Sequence, residues 1–329
     1  MYLAGVDIGG TKCAACIGRA DGEQVEVLCR AVPRATREYT PAGMLEALAG
    51  DLRDCLAALP AWERAEGIGI SCGGPLDSRA GIVLSPPNLP GWDAVPAAKI
   101  LSERTGLPAW LCNDANAGAL AEWQYGAGRG CRDLVFLTFG TGLGAGLILG
   151  GRLYEGASGM AGELGHIRLE AHGPVGYGKA GSFEGFCSGG GIAQLARAFA
   201  LEELQAGRSP ALCPDMAALA ALDARRVGEA AAAGDPLARK ILREAGTQLG
   251  RGLSIIIDMM NPKKIVIGSI FARCYNEIWP AAREVLEREA LPAARAVCEV
   301  LPSALSESVG DIAALSVARY HIETAEEPV

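Results

Sequence analysis

The sequence predicts a two-lobed α/β protein with a cleft between its lobes, on three observations. The chain has 329 residues, half of them hydrophobic, which is enough for two cores because a single core rarely grows past about 250–300 residues. Near the start, AGVDIGGTKCAACIGR is strand-like, turns at glycine and becomes strand-like again. The same pattern returns in LVFLTFGTGLGAGLILGGRLY, with Gly9 over Gly140, as an internal duplication around a cleft would place it.

Alternating apolar residues make YLAGVDIG, KCAACIG and QVEVLCRAV three successive strands, a meander and not a βαβ unit. A helix is expected over MLEALAGDLRDCLAAL, and EGIGISCGGPLD reads as a buried strand entering a Gly-Pro loop. LPAWLCNDANAGALAEWQYG should be a strand, a short turn and a helix starting near Asn113 or Asp114. That places Asp114 at a strand's carboxyl end, where open α/β sheets receive ligands. After the second hairpin, DARRVGEAAAAGDPLARKILREAGTQLGRGLSIIIDMMNP reads as two helices. Gly234 suits the first helix's C-cap, Asp235 the second's N-cap and Pro236 its first turn. KKIVIGSI is one more buried strand, DIAALSVARYH is helical, and the acidic ETAEEPV is expected to fray. No low-complexity linker separates the lobes, and a hinge is expected near AEWQYGAG. The expected division is a smaller lobe of residues 1–117 plus a C-terminal helix over about 308–329, and a larger lobe of 118–307.

Composition excludes several functions. A net charge of −8 lacks the basic footprint that phosphate-backbone binding needs, so nucleic acid is not an expected partner. The most apolar run, LSIIIDMM, is broken by Asp258 well short of the ~20 residues a bilayer span requires. No basic leader precedes Asp7, and a cytoplasmic location is expected. The eleven cysteines are odd in number, and many sit among apolar neighbours, so buried reduced thiols are expected. Within KCAACIG, Cys13 and Cys16 point to opposite faces of a strand and lie roughly 10 Å apart along it. They cannot share one zinc at about 2.3 Å from each sulfur.

The glycine turn offers more. Gly9 and Gly10 can expose backbone N–H groups, while Thr11 and Lys12 add a hydroxyl and a cation suited to phosphate. Asp7, just before the turn, could hold magnesium through water. GGTK alone fits a plain hairpin equally well. The second turn, GTGLG, is neither the dinucleotide fingerprint nor a P-loop, because a strand follows it. Two such turns converging across a cleft suit the phosphates of a nucleotide. Asp114 has two readings of its own, a helix N-cap or the general base of a phosphoryl transfer.

With DIGGTK at 7–12, GGPLD at 73–77, PNLPGW at 87–92, NDAN at 113–116, FGTGLGAGLILGGRLYEGASGMAGELGH at 139–166 and NPKKIVIGS at 261–269, the chain resembles the ROK family of sugar kinases. The resemblance runs through essentially the whole sequence. It implies the actin-like, hexokinase-like (ribonuclease H-like) ATPase fold and transfer of the γ-phosphate of ATP, with Mg²⁺, to a hexose. It also implies that Gly10, Thr11 and Lys12 lie near the transferred phosphate, that Gly140, Thr141 and Gly142 support the ATP phosphates, and that Gly268 lies near the nucleotide. Gly74, Asn88, Asn113, Asp114, Glu163, His166 and Glu184 would surround the sugar, with Asp114 the catalytic base. A homodimer or homotetramer is implied in the same way.

The sequence departs from the family at the zinc motif, a histidine followed by C-x-C-G-x-x-G-C. Here the run is VGYGKAGSFE, with Val175, Tyr177 and Ser182 where the cysteines would stand. Structural zinc is therefore not expected, and packing of Tyr177, Phe183 and Phe186 is expected to hold the loop instead. Ser269 stands where a second glycine is common after the IVIG strand. The family also includes transcriptional repressors with an N-terminal DNA-binding module, for which no room precedes Asp7. A sugar sensor that binds hexose without transferring phosphate is the rival of a different class. Glucose at its 6-hydroxyl is the expected acceptor, with N-acetylmannosamine, N-acetylglucosamine, fructose and mannose as alternatives.

Overall fold

A computed structural model describes residues 1–58, 65–305 and 309–325. The chain divides into two compact units, one of Met1–Gly130, Leu153–Gly159 and the C-terminal segment, the other of Cys131–Arg152 and Met160–Ser306.

The first unit opens with β1 (Tyr2–Ile8), β2 (Lys12–Asp21) and β3 (Gln24–Arg30), an antiparallel meander, followed by the short β4 (Arg34–Ala35) beside β2. Gly9 N–H closes the first turn onto the Lys12 carbonyl at 3.0 Å. A side-chain carbon at Gly9 would lie 2.8 Å from that oxygen, so the turn needs glycine. Helix α1 (Pro41–Ala57) starts at Thr40, whose hydroxyl accepts from Gly43 N–H, with proline in the first turn. Then come β5 (Ala65–Cys72), the small hairpin β6 (Leu76–Asp77) and β7 (Ile82–Val83), α2 (Ala97–Thr105), β8 (Ala109–Asn113) and α3 (Asp114–Tyr125). β5 and β8 add to the sheet in parallel, giving the order β3-β2-β1-β5-β8.

The second unit repeats the plan. β9 (Leu134–Phe139) and β10 (Leu143–Leu149) form the second hairpin, closed by Gly140 N–H to the Gly142 carbonyl at 3.0 Å, and β11 (Arg152–Leu153) follows. A small hairpin of β12 (Val175–Gly176) and β13 (Lys179–Ala180) leads to α4 (Phe183–Phe186) and α5 (Gly189–Gln205). Next are α6 (Ala224–Ala232), α7 (Pro236–Met260), β14 (Lys264–Ile267), α8 (Ile270–Arg273), α9 (Tyr275–Glu289), α10 (Pro292–Arg295) and β15 (Glu299–Pro302). The second sheet runs β11-β10-β9-β14-β15, with β14 and β15 parallel to β9, the same order as the first. Duplication is thus visible in topology, although three residues separate the paired Phe139 and Leu143 where four separate Ile8 and Cys13.

Asp235 and Pro236 sit where the sequence puts them, and the C-cap of α6 lies one residue before the expected Gly234. Asp235 caps α7 by accepting from Ala238 N–H, with Pro236 in its first turn; Ala233 is the C-cap of α6 and Gly234 follows with φ 95°. The last helix, α11 (Val309–Ala325), lies on the first sheet. It approaches so closely that a side chain at Gly69 would overlap the Ala314 carbonyl, and one at Gly5 would lie 3.0 Å from the Ala314 Cβ. Of ETAEEPV, residues 326–329 lie outside the described residues, as does the last residue of the helix expected over 44–59.

Cys13 and Cys16 are both buried in β2, and burial raises both thiols, Cys16 to about 12, so CAAC packs and does not react. The expectation of reduced thiols throughout needs correction. Cys29 in β3 and Cys55 in α1, with Cα atoms 5.7 Å apart, form a disulfide, and the other nine cysteines are free. Folding brings the two together across a sequence separation of 26, which no local pattern announces. Among the described residues no helix is long and apolar enough to cross a membrane.

Candidate active site

The residues singled out by the sequence fall into two sets, one in each unit. In the first unit, β1, β5 and β8 are parallel neighbours, so their carboxyl ends bring Asp7, the Gly73–Pro75 loop and Asn113–Asp114 to one edge of the sheet. The loop carrying Asn88 reaches the same edge because it is anchored from below: Leu89 and Trp92 are buried, and the Trp92 carbonyl accepts from Ser85 N–H at 2.9 Å. Asn88 itself is exposed at the crest. A side chain at Gly10 would lie 2.7 Å from the Asn88 carbonyl, so only glycine lets the first turn approach that loop. A carbon on Gly73 would lie 3.7 Å from Asn88 Nδ2 and 3.9 Å from Asp114 Oδ2, and one on Gly74 would lie 3.3 Å from Asn113 Nδ2. Gly10, Gly73, Gly74, Asn88, Asn113 and Asp114 therefore converge, while Thr11 and Lys12 stand exposed on the turn beside them.

The cap question at NDAN resolves through position. Asn113 is the N-cap of α3, its Oδ1 accepting from Ala115 N–H at 3.0 Å. Asp114 is the first helical residue; its Oδ1 also accepts from Ala115 N–H, at 2.9 Å, and the residue is exposed. Capping is thus supplied by Asn113 and does not by itself require an aspartate next to it. The Asp7 carboxyl is pushed up to about 6, first by burial and then by the negative charge of Asp114, with Lys12 pulling the other way. The two carboxylates offer oxygens suited to a divalent cation, and the Lys12 ammonium a charge suited to a phosphate beside it.

In the second unit, Glu163 is the N-cap and His166 the last residue of a 3-10 turn, Leu164–His166, that packs on β10. Side chains at Gly162 and Gly165 would overlap the carbonyls of Ala145 and Leu143, which explains both glycines of MAGELGH. Glu163 and His166 are exposed above them. Glu184, on α4, is half-buried, and its Oε2 accepts from Leu143 N–H at 3.0 Å. A side chain at Gly142 would come within 2.8 Å of that same oxygen. Glu184 is therefore tied directly to the second glycine turn. Gly268 is buried at the end of β14, its N–H donating to the Leu137 carbonyl at 3.0 Å.

A cavity of about 740 Å³ opens beside this turn, lined by Gly140, Thr141, Gly190, Arg225, Ser269 and Arg273 among others. The sequence does not single out Gly190, Arg225 or Arg273. Its one available signal is the run Ser188–Gly191, where Ser188 caps α5 by accepting from Gly191 N–H at 3.0 Å and Gly189 N–H donates to the Gly140 carbonyl at 2.7 Å. A glycine-rich helix start of this kind exposes N–H groups suited to anions. Ser269 has φ 60°, the left-handed region, which is why glycine fits this position and serine departs from it.

The expected packing of the 173–187 loop needs correction at Tyr177. Phe183 and Phe186 are buried, Phe183 against Gly252 and Phe186 against Gly173, but Tyr177 is 74% exposed and holds nothing by burial. Among the described residues no group of three or more His, Cys, Asp or Glu side chains is gathered as metal ligands are.

Two sheets of identical strand order, each opening on a glycine-turned hairpin whose first strand is central, define an actin-like ATPase fold. A profile of the ROK family matches residues 3–320. The glucokinase of Thermotoga maritima is 31% identical over 323 residues, 98% of each chain. The N-acetylmannosamine kinase of Shigella flexneri is 34% identical over 272 residues, 82% of each chain. The structure of a ROK family glucokinase from Streptomyces griseus in complex with glucose and AMPPNP matches with a TM-score of 0.76 at 29% identity, over 97% of this chain and 99% of that one. The chain belongs to the ROK family.

Proposed function

We propose that this protein is an ATP-dependent sugar kinase that transfers the γ-phosphate to a hexose hydroxyl, glucose at position 6 being the first acceptor to test. The observation that carries this reading is the convergence of Gly10, Gly73, Asn88 and Asp114, an acid beside a glycine turn that no side chain obstructs. Similarity to a glucokinase and to a structure holding glucose and AMPPNP supports the sugar and the nucleotide. Similarity to an N-acetylmannosamine kinase makes that amino sugar the first alternative.

In this reading Asp114 accepts the proton of the attacking hydroxyl as its oxygen bonds to the γ-phosphorus, and the bond from that phosphorus to the β–γ bridging oxygen breaks to release ADP. Such a base contributes about 10²–10⁴ in rate. Gly10, Thr11 and Lys12 hold the transferred phosphate, and Gly140, Thr141 and Gly142 the rest of the chain of phosphates. Gly268 borders the nucleotide, with the cavity at Arg225 and Arg273 accommodating its nucleoside. Asp7 is the residue suited to magnesium, which when bound neutralises phosphate charge. Asn88, Asn113, Glu163, His166 and Glu184, with the Gly74 loop, orient the sugar through charge-assisted hydrogen bonds. Assembly as a homodimer or homotetramer belongs to the same reading.

ADP release by the EDTA-treated protein with Mg·ATP, across hexoses and N-acetylhexosamines, tests it. One preferred sugar, with turnover lost in Asp114→Asn, is expected. Hexose binding without ADP release from any sugar would leave a sensor instead.

A further inference from the structure

The hairpin after His166 is held by a device the proposed mechanism does not use. β12 and β13 pair only Val175 with Ala180 and Gly176 with Lys179, and a two-strand hairpin this short is not stable by itself in water. Its turn places Tyr177 and Gly178 at φ 43° and 75°, the mirror-image turn that tight hairpins favour but tyrosine does not. Tyr177 there meets the His166 ring edge-on at 6.5 Å between centroids. The hairpin is tied to its own loop by Arg168, which donates to the Ala180 carbonyl at 2.7 Å, and by Gly181 N–H, which donates to the Pro174 carbonyl at 2.9 Å, and it is tied to α5 by one amide. Gln194 Oε1 accepts from Val175 N–H at 2.9 Å, and its Nε2 donates to the Val175 carbonyl at 2.9 Å. That pair of bonds is what a neighbouring strand would supply. The same Nε2 donates to the Gly190 carbonyl at 3.3 Å, which locks the side chain to its own helix.

The hairpin in turn bears on the acceptor residues. A side chain at Gly176 would lie 2.8 Å from Glu184 Cβ and 2.6 Å from Gly185 N, so this strand rests directly on Glu184. From the other strand, Lys179 Nζ donates to the His166 carbonyl at 2.7 Å. α5 provides a firm base, because Gly189 N–H is bonded to Gly140 and a side chain at Gly191 would overlap the Gly185 carbonyl.

We propose that Gln194 is a positioning residue for the acceptor pocket: by clamping Val175 it seats the hairpin over Glu184 and His166. The inference rests on the sugar-kinase reading. It is tested with Gln194→Ala and Gln194→Glu in the full chain, measuring KM for the preferred sugar and for Mg·ATP, melting temperature, and hydrogen exchange over 173–182. The clamp predicts that Gln194→Ala raises the sugar KM about tenfold or more while the ATP KM stays within about twofold, since a small misplacement of binding groups is costly. Gln194→Glu keeps the acceptor for Val175 N–H but sets a carboxylate oxygen against the Val175 and Gly190 carbonyls, so its sugar KM also rises; it carries the test should the alanine variant not fold. Exchange at Val175 is expected to quicken in Gln194→Ala. A sugar KM within about twofold of wild type in a folded Gln194→Ala protein, or equal rises in both KM values, overturns the proposal. If the wild type phosphorylates no sugar, the kinase reading fails, and calorimetric hexose binding then judges the clamp: unchanged affinity in Gln194→Ala overturns it and weakened affinity upholds it.

Discussion

Replacing Asp7 by asparagine should stabilise the protein while disabling it. The Asp7 carboxyl titrates near 6 in the fold against an ordinary 3.8, because burial and Asp114 both disfavour its charge. A carboxyl raised in this way binds its proton more tightly folded than unfolded. The penalty for ionising it is absent below about pH 4, grows as pH rises through the interval between the two values, and is complete above the folded one. A difference of about two pH units corresponds to about 3 kcal/mol at neutral pH, an upper bound because local rearrangement relieves part of it. Asparagine has nearly the same shape and no charge to lose. For a unit of this size the gain amounts to roughly 6–12 °C in melting temperature at most. Scanning fluorimetry on both proteins in EDTA, without nucleotide, at neutral pH and again near pH 4, reads it directly. The asparagine protein should melt higher at neutral pH, with the gap closing on acidification. An asparagine protein that melts no higher at neutral pH, or a gap independent of pH, refutes the reasoning. Activity with Mg·ATP should fall in the same variant, the usual exchange of stability for a charged site.

Asp114→Asn should retain sugar affinity by calorimetry within a few-fold while turnover falls by about 10²–10⁴. Gly69→Ala forces a methyl group onto the Ala314 carbonyl, a backbone atom that cannot rotate away; denaturant unfolding should show a loss of about 3 kcal/mol or more. Cys55→Ser removes a cross-link closing 26 residues, for which loop entropy gives about 3.5 kcal/mol; non-reducing unfolding should show a loss approaching that, and dithiothreitol should shift the wild type but not the variant.

Much of this was legible because it was local. Short apolar runs in YLAGVDI and LVFLTF, buried almost throughout and ended by glycines that must turn, give both hairpins and their repetition. Asp235 caps α7 as the sequence suggests, through a carboxylate that accepts from an amide three residues on. The parallel strands follow from those elements, and with them the edge that gathers Asp7, Asn113 and Asp114. What sequence alone does not yield is contact at a distance. Cys29 and Cys55 meet only once α1 crosses the first sheet, and Gln194 reads as an ordinary polar residue of a helix until Val175 is beside it. Glu184 was legible as a carboxylate but not as a partner of Leu143 N–H, and Tyr177 reads as core while its turn carries it into solvent. The serine at 269 is the instructive exception: the departure was visible, and its φ of 60° supplies the reason glycine is favoured there.

The most direct test of the central claim is the product itself. Phosphorus NMR of the protein incubated with Mg·ATP and glucose should show ATP signals replaced by ADP and one new phosphomonoester, coupled to the protons of carbon 6, in equal amounts. Untouched ATP beside bound glucose, or ADP accompanied only by free phosphate, would contradict the account.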